Sequence, residues 1–328
     1  MRLVDTLLEK VDEVLERTRS RAVRDGAIAA VLLAPSLAVL GVFGITPILG
    51  AVYLSLFDTH FGAGPFVGVG NYAKALTEED FWKSFLVTFY YSVGTIPVGL
   101  VLSFAVALAL FRILRARGLF RTMYFLPYVT SAVAAATVWR VLLHPQIGLT
   151  NLVLQWLGAD PMQWLLEPRG VLYFLTDGRI PPTIGPSLSL CCVMLFDIWH
   201  ASGFMIVIFL AGLTALPRQL EEAARIDGAG GAQVVWNVTL PLLSPTIFFL
   251  TVVSAIRSFQ AFNSFFALTG DGRGPLNTTR NLTVYIYSSF YQFGYEGYGA
   301  ALAALSSLAI VTMTIVQWRF AGRRVFYE

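Results

Sequence analysis

The sequence predicts an all-α membrane protein, a polytopic bundle of about six transmembrane helices. Hydrophobic residues make up 56% of the 328 and charged residues only 13%, where a soluble domain carries roughly a quarter charged. The apolar residues stand in long charge-free blocks, several of which reach the roughly 20 residues that a helix needs to cross a bilayer. The alternating segments of about ten residues that mark a transmembrane β-barrel are absent.

Residues 1–25 read as a cytoplasmic amphipathic segment, with Val4, Leu7, Leu8, Val11, Val14 and Leu15 at helical spacing. Such a helix lies on a membrane surface or a neighbouring protein. Its acids and bases are evenly mixed and the apolar run behind it is too long for a signal peptide, so it is expected to stay attached. A transmembrane domain at 26–322 follows, and residues 323–328 form a tail. The expected spans are 27–57, broken by Pro35 and Pro47, then 85–111, 122–143, 188–216, 245–268 and 300–320. The longest connection, 144–187, holds Trp156, Trp164, Leu165, Leu166 and Tyr173, which suits short helices at a membrane interface better than a solvated linker.

Basic residues set the orientation. Arg112, Arg115, Arg117 and Arg121 join spans two and three, Arg17, Arg19, Arg21 and Arg24 precede span one, and Arg319, Arg323 and Arg324 end the chain. The other connections, 58–84, 144–187 and 270–299, are poorer in bases near the membrane. The positive-inside rule then places both termini in the cytoplasm. The net charge of +3 is explained by this sidedness, without nucleic acid. Cys191 and Cys192 are adjacent in an apolar run and read as packing residues. With three scattered histidines they make no metal site.

The link between spans four and five, 217–245, carries the most information. Pro217 suits a first helical turn. Leu216, Leu220, Ala223 and Ala224 share one face, with Glu221, Glu222 and Arg225 on the others. Gly228 stands where a helix stops, Asp227 precedes it, and a second short helix is expected through Val234, Val235 and Val238 as far as Pro241. This is a helix-turn-helix under the membrane.

The segment resembles the cytoplasmic loop of ABC-importer permeases, whose pattern is Glu-Ala-Ala, three residues, Gly, nine residues, Ile, any residue, Leu-Pro. Glu222, Ala223, Ala224, Gly228, Leu240 and Pro241 match at that spacing, with Val238 where Ile is usual. Flanking Ile226, Asp227 and Ala229 look like the carbohydrate-uptake branch, the maltose and glycerol-phosphate type of binding-protein-dependent inner-membrane component. The likeness extends to 123–143, to 259–279 with an insertion at Asp271 to Arg273, and to 283–303. It fails over 1–25 and parts of 144–187.

The resemblance implies a permease subunit in a prokaryotic inner or plasma membrane, forming half of a pore for a sugar or sugar derivative. It implies a second permease, in a heterodimer, two copies of a cytoplasmic ATPase subunit and an extracytoplasmic solute-binding protein. Glu221, Glu222, Ala223, Ala224, Asp227, Gly228, Val238, Leu240 and Pro241 would form the coupling contact to the ATPase. The chain itself has no GxxxxGK[ST] loop, only three lysines, and no cytoplasmic stretch long enough for a nucleotide-binding domain. No cofactor is expected on it, and ATP and magnesium belong to the partner ATPase.

Ionisable residues inside a span usually face protein or water. Asp197 and His200 lie on one face of span four, and Arg257, Gln260 and Asn263 fall at helical spacing in span five, with Ser254 a turn earlier. They either line a path for a hydroxyl-rich solute, with Phe259 and Phe262 stacking on sugar faces, or hold the bundle together through an Asp197–Arg257 ion pair or a hydrogen-bond network. Arg140 is expected to reach the outer interface. Polyamine, phosphate or other anion import would share the cytoplasmic loop. An ATP-independent carrier or channel leaves that loop unexplained, and a membrane enzyme lacks an HExxH or GxSxG motif.

Overall fold

The computed structural model describes residues 25, 26, 28–112, 117–320 and 322. The expected amphipathic segment up to Arg24, Arg115, and the tail with Arg323 and Arg324 lie outside the described residues. Among those described there is no strand. Four helices are long and apolar enough to cross a membrane, or six when two bent pairs each count as one span. The chain divides into two compact units, 1–54 and 55–328.

The first unit holds α1 (Ile28–Leu54). Its middle, Gly41–Ile45, is π-helical, and the Thr46 N–H and Oγ1 both donate to the Gly41 carbonyl. This wide turn comes just before Pro47, whose missing N–H and ring disturb the α-helical ladder.

The second unit begins with α2 (Gly70–Thr77) and the 34-residue α3 (Glu79–Arg112), which starts a turn and a half before the expected span two. Span three is not straight. It consists of α4 (Arg117–Val129) and α5 (Ala132–Leu142), bent by 93°. At about 20 and 16 Å neither half crosses the roughly 30 Å apolar core alone. Pro127 removes one ladder N–H, Thr130 Oγ1 takes the Leu126 carbonyl at 2.8 Å, and Ser131 adopts extended ψ. Short helices α6 (Leu149–Trp156) and α7 (Val171–Leu175) occupy the long connection. There Asn151 accepts from Trp164 Nε1 at 2.7 Å and donates to the Pro145 and Met162 carbonyls.

Span four, α8 (Leu188–Ala215), is continuous and capped by the Ser187 hydroxyl on the Leu190 N–H at 3.0 Å. It packs on α3 through Phe196, Ile206, Phe209 and Leu213, all fully buried. Gly203 brings it against α4: a Cβ there would sit 2.4 Å from the Tyr124 carbonyl oxygen. In lipid, close approach of this kind takes over the role that water exclusion plays elsewhere.

The hairpin between spans four and five follows as α9 (Arg218–Ile226) and α10 (Gly231–Leu242). The second helix does not stop at Pro241. A π-helical turn at Val235–Thr239 absorbs the proline, the Leu240 N–H reaching back to Val235, and the bend of 66° comes after it at Leu243. Span five proper, α11 (Ser244–Phe259), ends nine residues before the expected limit. A break at Gln260–Phe262 precedes α12 (Asn263–Thr269). The chain returns through α13 (Leu282–Tyr287), with a π-helical turn at Ser288–Gln292, to span six, α14 (Glu296–Phe320).

The break after α11 frees backbone carbonyls inside the bundle, where an unpaired one costs several kcal/mol in a water-free region. Side chains of α13 and its cap satisfy them. Asn281 Nδ2 donates to the Ala261 carbonyl at 2.6 Å, and Thr283 Oγ1 to that of Phe259 at 2.8 Å. The Asn281 Oδ1 meanwhile caps α13 on the Val284 N–H.

Candidate functional site: a polar cavity and a helical hairpin

A cavity of about 290 Å³ opens between α3, α8 and α11 and the break beyond it. Its lining includes all five polar residues expected of a solute path: Asp197, His200, Arg257, Gln260 and Asn263. They do not form a single helical stripe. Arg257 is in the last turn of α11, Gln260 ends that helix, and Asn263 starts α12. The break places these side chains at the facing ends of two helices, beside one space.

Of the two ways in which these groups could hold the bundle, the Asp197–Arg257 ion pair does not form within 4 Å. Asp197 Oδ2 instead accepts a hydrogen bond from the Tyr91 hydroxyl at 2.7 Å. The Arg257 guanidinium stands 5.6 Å from the centre of the Tyr128 ring, which stacks on Phe204. His200 Nε2 lies 3.2 Å from the Thr130 carbonyl, the one freed by the bend in span three, and its ring stacks on Phe196. A carbonyl only accepts, so the imidazole carries a hydrogen on Nε2. Arg140 extends beside Gly270, at the far end of α12.

Tyr91, Tyr128, Thr130 and Ser264 were not identified from the sequence. For span two the signal was legible. Ser84, Thr88, Tyr91, Ser92 and Thr95 recur at helical spacing and form one polar stripe, in which Ser92 Oγ meets Ser258 Oγ at 2.7 Å. Thr88 Oγ1 accepts from the Leu282 N–H at 3.0 Å. Tyr128 and Ser264 sit in aromatic runs with no spacing signal.

In the hairpin, α9 starts after Pro217 and stops at Asp227. Gly228 takes φ +86°, with open space around it. The Ala229 N–H closes the turn on the Ala224 carbonyl at 2.9 Å. Any other residue at that φ would cost roughly 1–2 kcal/mol. Glu222, Ala223 and Asp227 are exposed, whereas Glu221 is half-buried with Arg225 at 3.7 Å. Val238, Leu240 and Pro241 are partly buried on the π-helical side. Ile226, read from the sequence as a mark of the carbohydrate-uptake branch, is 85% exposed. Trp236 was missed and is 71% exposed; its sequence position gave no reason to separate it from buried apolar neighbours.

A helical membrane bundle around a polar cavity, with a charged hairpin on one end, defines a multi-pass transport subunit. Residues 79–325 match the family described as binding-protein-dependent transport system inner membrane component, and the chain belongs to that family. It is 30% identical to the trehalose/maltose transport system permease protein MalF of Thermococcus litoralis over 89% of this chain and 93% of that one. It is 30% identical to the sn-glycerol-3-phosphate transport system permease protein UgpA of Agrobacterium fabrum over 90% and 95%. A bacterial ABC transporter involved in the import of the acidic polysaccharide alginate shares the fold, with a TM-score of 0.76 at 22% identity over 94% of this chain and 99% of that one. The same fold recurs, with a TM-score of 0.76 at 21% identity over 92% of this chain and 95% of that one, in the alginate transporter in complex with an alginate pentasaccharide-bound periplasmic protein. The chain is thus a permease subunit of a binding-protein-dependent ABC importer and a multi-pass inner-membrane protein. Permeases of this family have no nucleotide-binding site or cofactor of their own; ATP is used by the partner ATPase.

Proposed function

We propose that this permease carries a carbohydrate-type solute through the cavity lined by Asp197, His200, Arg257, Gln260 and Asn263. The observation that carries this reading is the convergence of these polar side chains on one space, with Phe262 and aromatic neighbours beside them. Hydroxyl-rich solutes need many donors and acceptors together with apolar faces for the sugar ring. The relatives named for trehalose/maltose and for glycerol-3-phosphate support a solute of this class.

In this reading both termini are cytoplasmic, 26–322 is the permease domain with 144–187 outside, and 217–245 is the coupling loop. A second permease completes the pore as a heterodimer, two ATPase copies bind below, and an extracytoplasmic binding protein delivers the solute. The α9 helix is the lever. Glu222 offers a charge to the ATPase, Ala223 and Ala224 allow close contact, and Asp227 and Gly228 set the angle to α10. Glu221, through Arg225, stiffens the lever, while Val238, Leu240 and Pro241 join it to span five. Movement of the ATPase pair then shifts the packing of α11 on α3 and α8.

The test is uptake of a labelled panel of sugars, polyamines and inorganic anions by the reconstituted complex. ATP-dependent uptake of carbohydrates alone is expected. Uptake confined to polyamines or inorganic anions would refute the carbohydrate reading and leave the family unchanged.

A further inference from the structure

We infer that Arg257, flanked by Gln260 and Asn263, is a subsite for an anionic group, and that the solute is an acidic carbohydrate; this rests on the carbohydrate reading above. The two opposite charges of the cavity are employed differently. The Asp197 carboxylate is engaged from the bundle side by the Tyr91 hydroxyl at 2.7 Å. Arg257 has no carboxylate within 4 Å, is exposed towards the cavity, and rests on the Tyr128 ring at 5.6 Å.

A guanidinium in the membrane interior is costly unless it meets water or an anion. The attraction of the Tyr128 ring face, 5.6 Å away, does not neutralise it. Its fork of donors fits the paired oxygens of a carboxylate or phosphate, and gives a neutral hydroxyl much less. Gln260 and Asn263 are also exposed, and stand on either side of the break next to Arg257. Their amides can donate to the same anion or to adjoining hydroxyls. A solute that fills the space between Asp197 and Arg257 would therefore present hydroxyls to the first and an acidic group to the second.

The test is direct binding to the full chain, co-purified with its partner subunits in nanodiscs so that the binding protein does not select the ligand. The probes are glucose, maltose, glucuronate, glucose 6-phosphate and maltobionate, with inorganic phosphate alone as the control. The acidic sugars should bind about tenfold or more tightly than their neutral counterparts, which is about 1.4 kcal/mol. Arg257→Gln should abolish the difference and Arg257→Lys should keep part of it. Equal affinity for neutral and acidic sugars, a preference that survives Arg257→Gln, or no binding of the acidic probes would overturn the inference. Loss of the partner permease from the purified Arg257→Gln complex would also overturn it, since the arginine would then serve assembly. Binding of the neutral sugars alone would leave the carbohydrate reading standing, whereas binding of no sugar at all would remove both.

Discussion

Single side chains hold this bundle at the places where its backbone is interrupted. Tyr91 donates to Asp197 across the contact of α3 and α8. Removing one partner of a hydrogen bond to a charged group typically costs about 1.5–3 kcal/mol. Tyr91→Phe should lower the thermal midpoint of the purified protein, and Asp197→Asn should lower it less, because the amide oxygen still accepts; equal midpoints for wild type and Tyr91→Phe would refute the role. At the hairpin, Glu222→Lys and Gly228→Leu should leave the protein inserted but abolish solute-stimulated ATP hydrolysis in the complex. The first reverses a surface charge and the second forces a side chain onto φ +86°. Unaltered stimulation in both would remove α9 as the lever. In the 144–187 connection, buried Glu167 is held below the usual carboxylate range by its hydrogen bonds from Arg169, with Nε at 2.7 Å. A depressed folded value adds stability above the unfolded value of about 4.3, and that stability is lost as pH falls through the folded one. Glu167→Gln should therefore flatten the stability profile between about pH 5 and 3, read by melting across that range.

The helices show which parts of the architecture hydropathy can and cannot reveal. Span four, with its uninterrupted run from Leu188 and a serine cap, starts at the expected residue and ends one residue short of the expected limit. Spans three and five were each expected as a single segment, since hydropathy averages across an interruption. Groups that hydropathy does not weigh stand at those interruptions: Pro127 and the Thr130 hydroxyl in one case, and in the other the Asn281 and Thr283 side chains, about 20 residues away, which take the freed carbonyls. The helix-turn-helix at 217–242 was legible because the proline and glycine that bound it are local in sequence. The cavity was only half legible: its charged members stand out in apolar runs and Tyr91 in a polar stripe, but Ser264 lines it, and Tyr128 meets Arg257, through tertiary contact alone. Close packing at Gly203 gives a test of the elbow in span three. Gly203→Val should displace α4 and cost about 1–3 kcal/mol through overpacking. It should also impair transport more than an equally destabilising change on the lipid-facing side of α14. A fully active Gly203→Val would mean that the elbow carries no function.

As a whole molecule the chain is a permease without an engine of its own, since its family membership places the energy source on another chain. In the function proposed above, the cavity receives the solute and the hairpin is the handle. Two packings of the same helices must alternate for net transport, and a protein with no differential energy input only equilibrates its solute. The decisive measurement is accumulation of a labelled carbohydrate in proteoliposomes, made once with this chain alone and once with the complete importer, its binding protein and ATP. Accumulation above the outside concentration should appear only in the complete system and should stop when ATP is withheld. Uphill accumulation by the isolated chain would contradict the account at its centre.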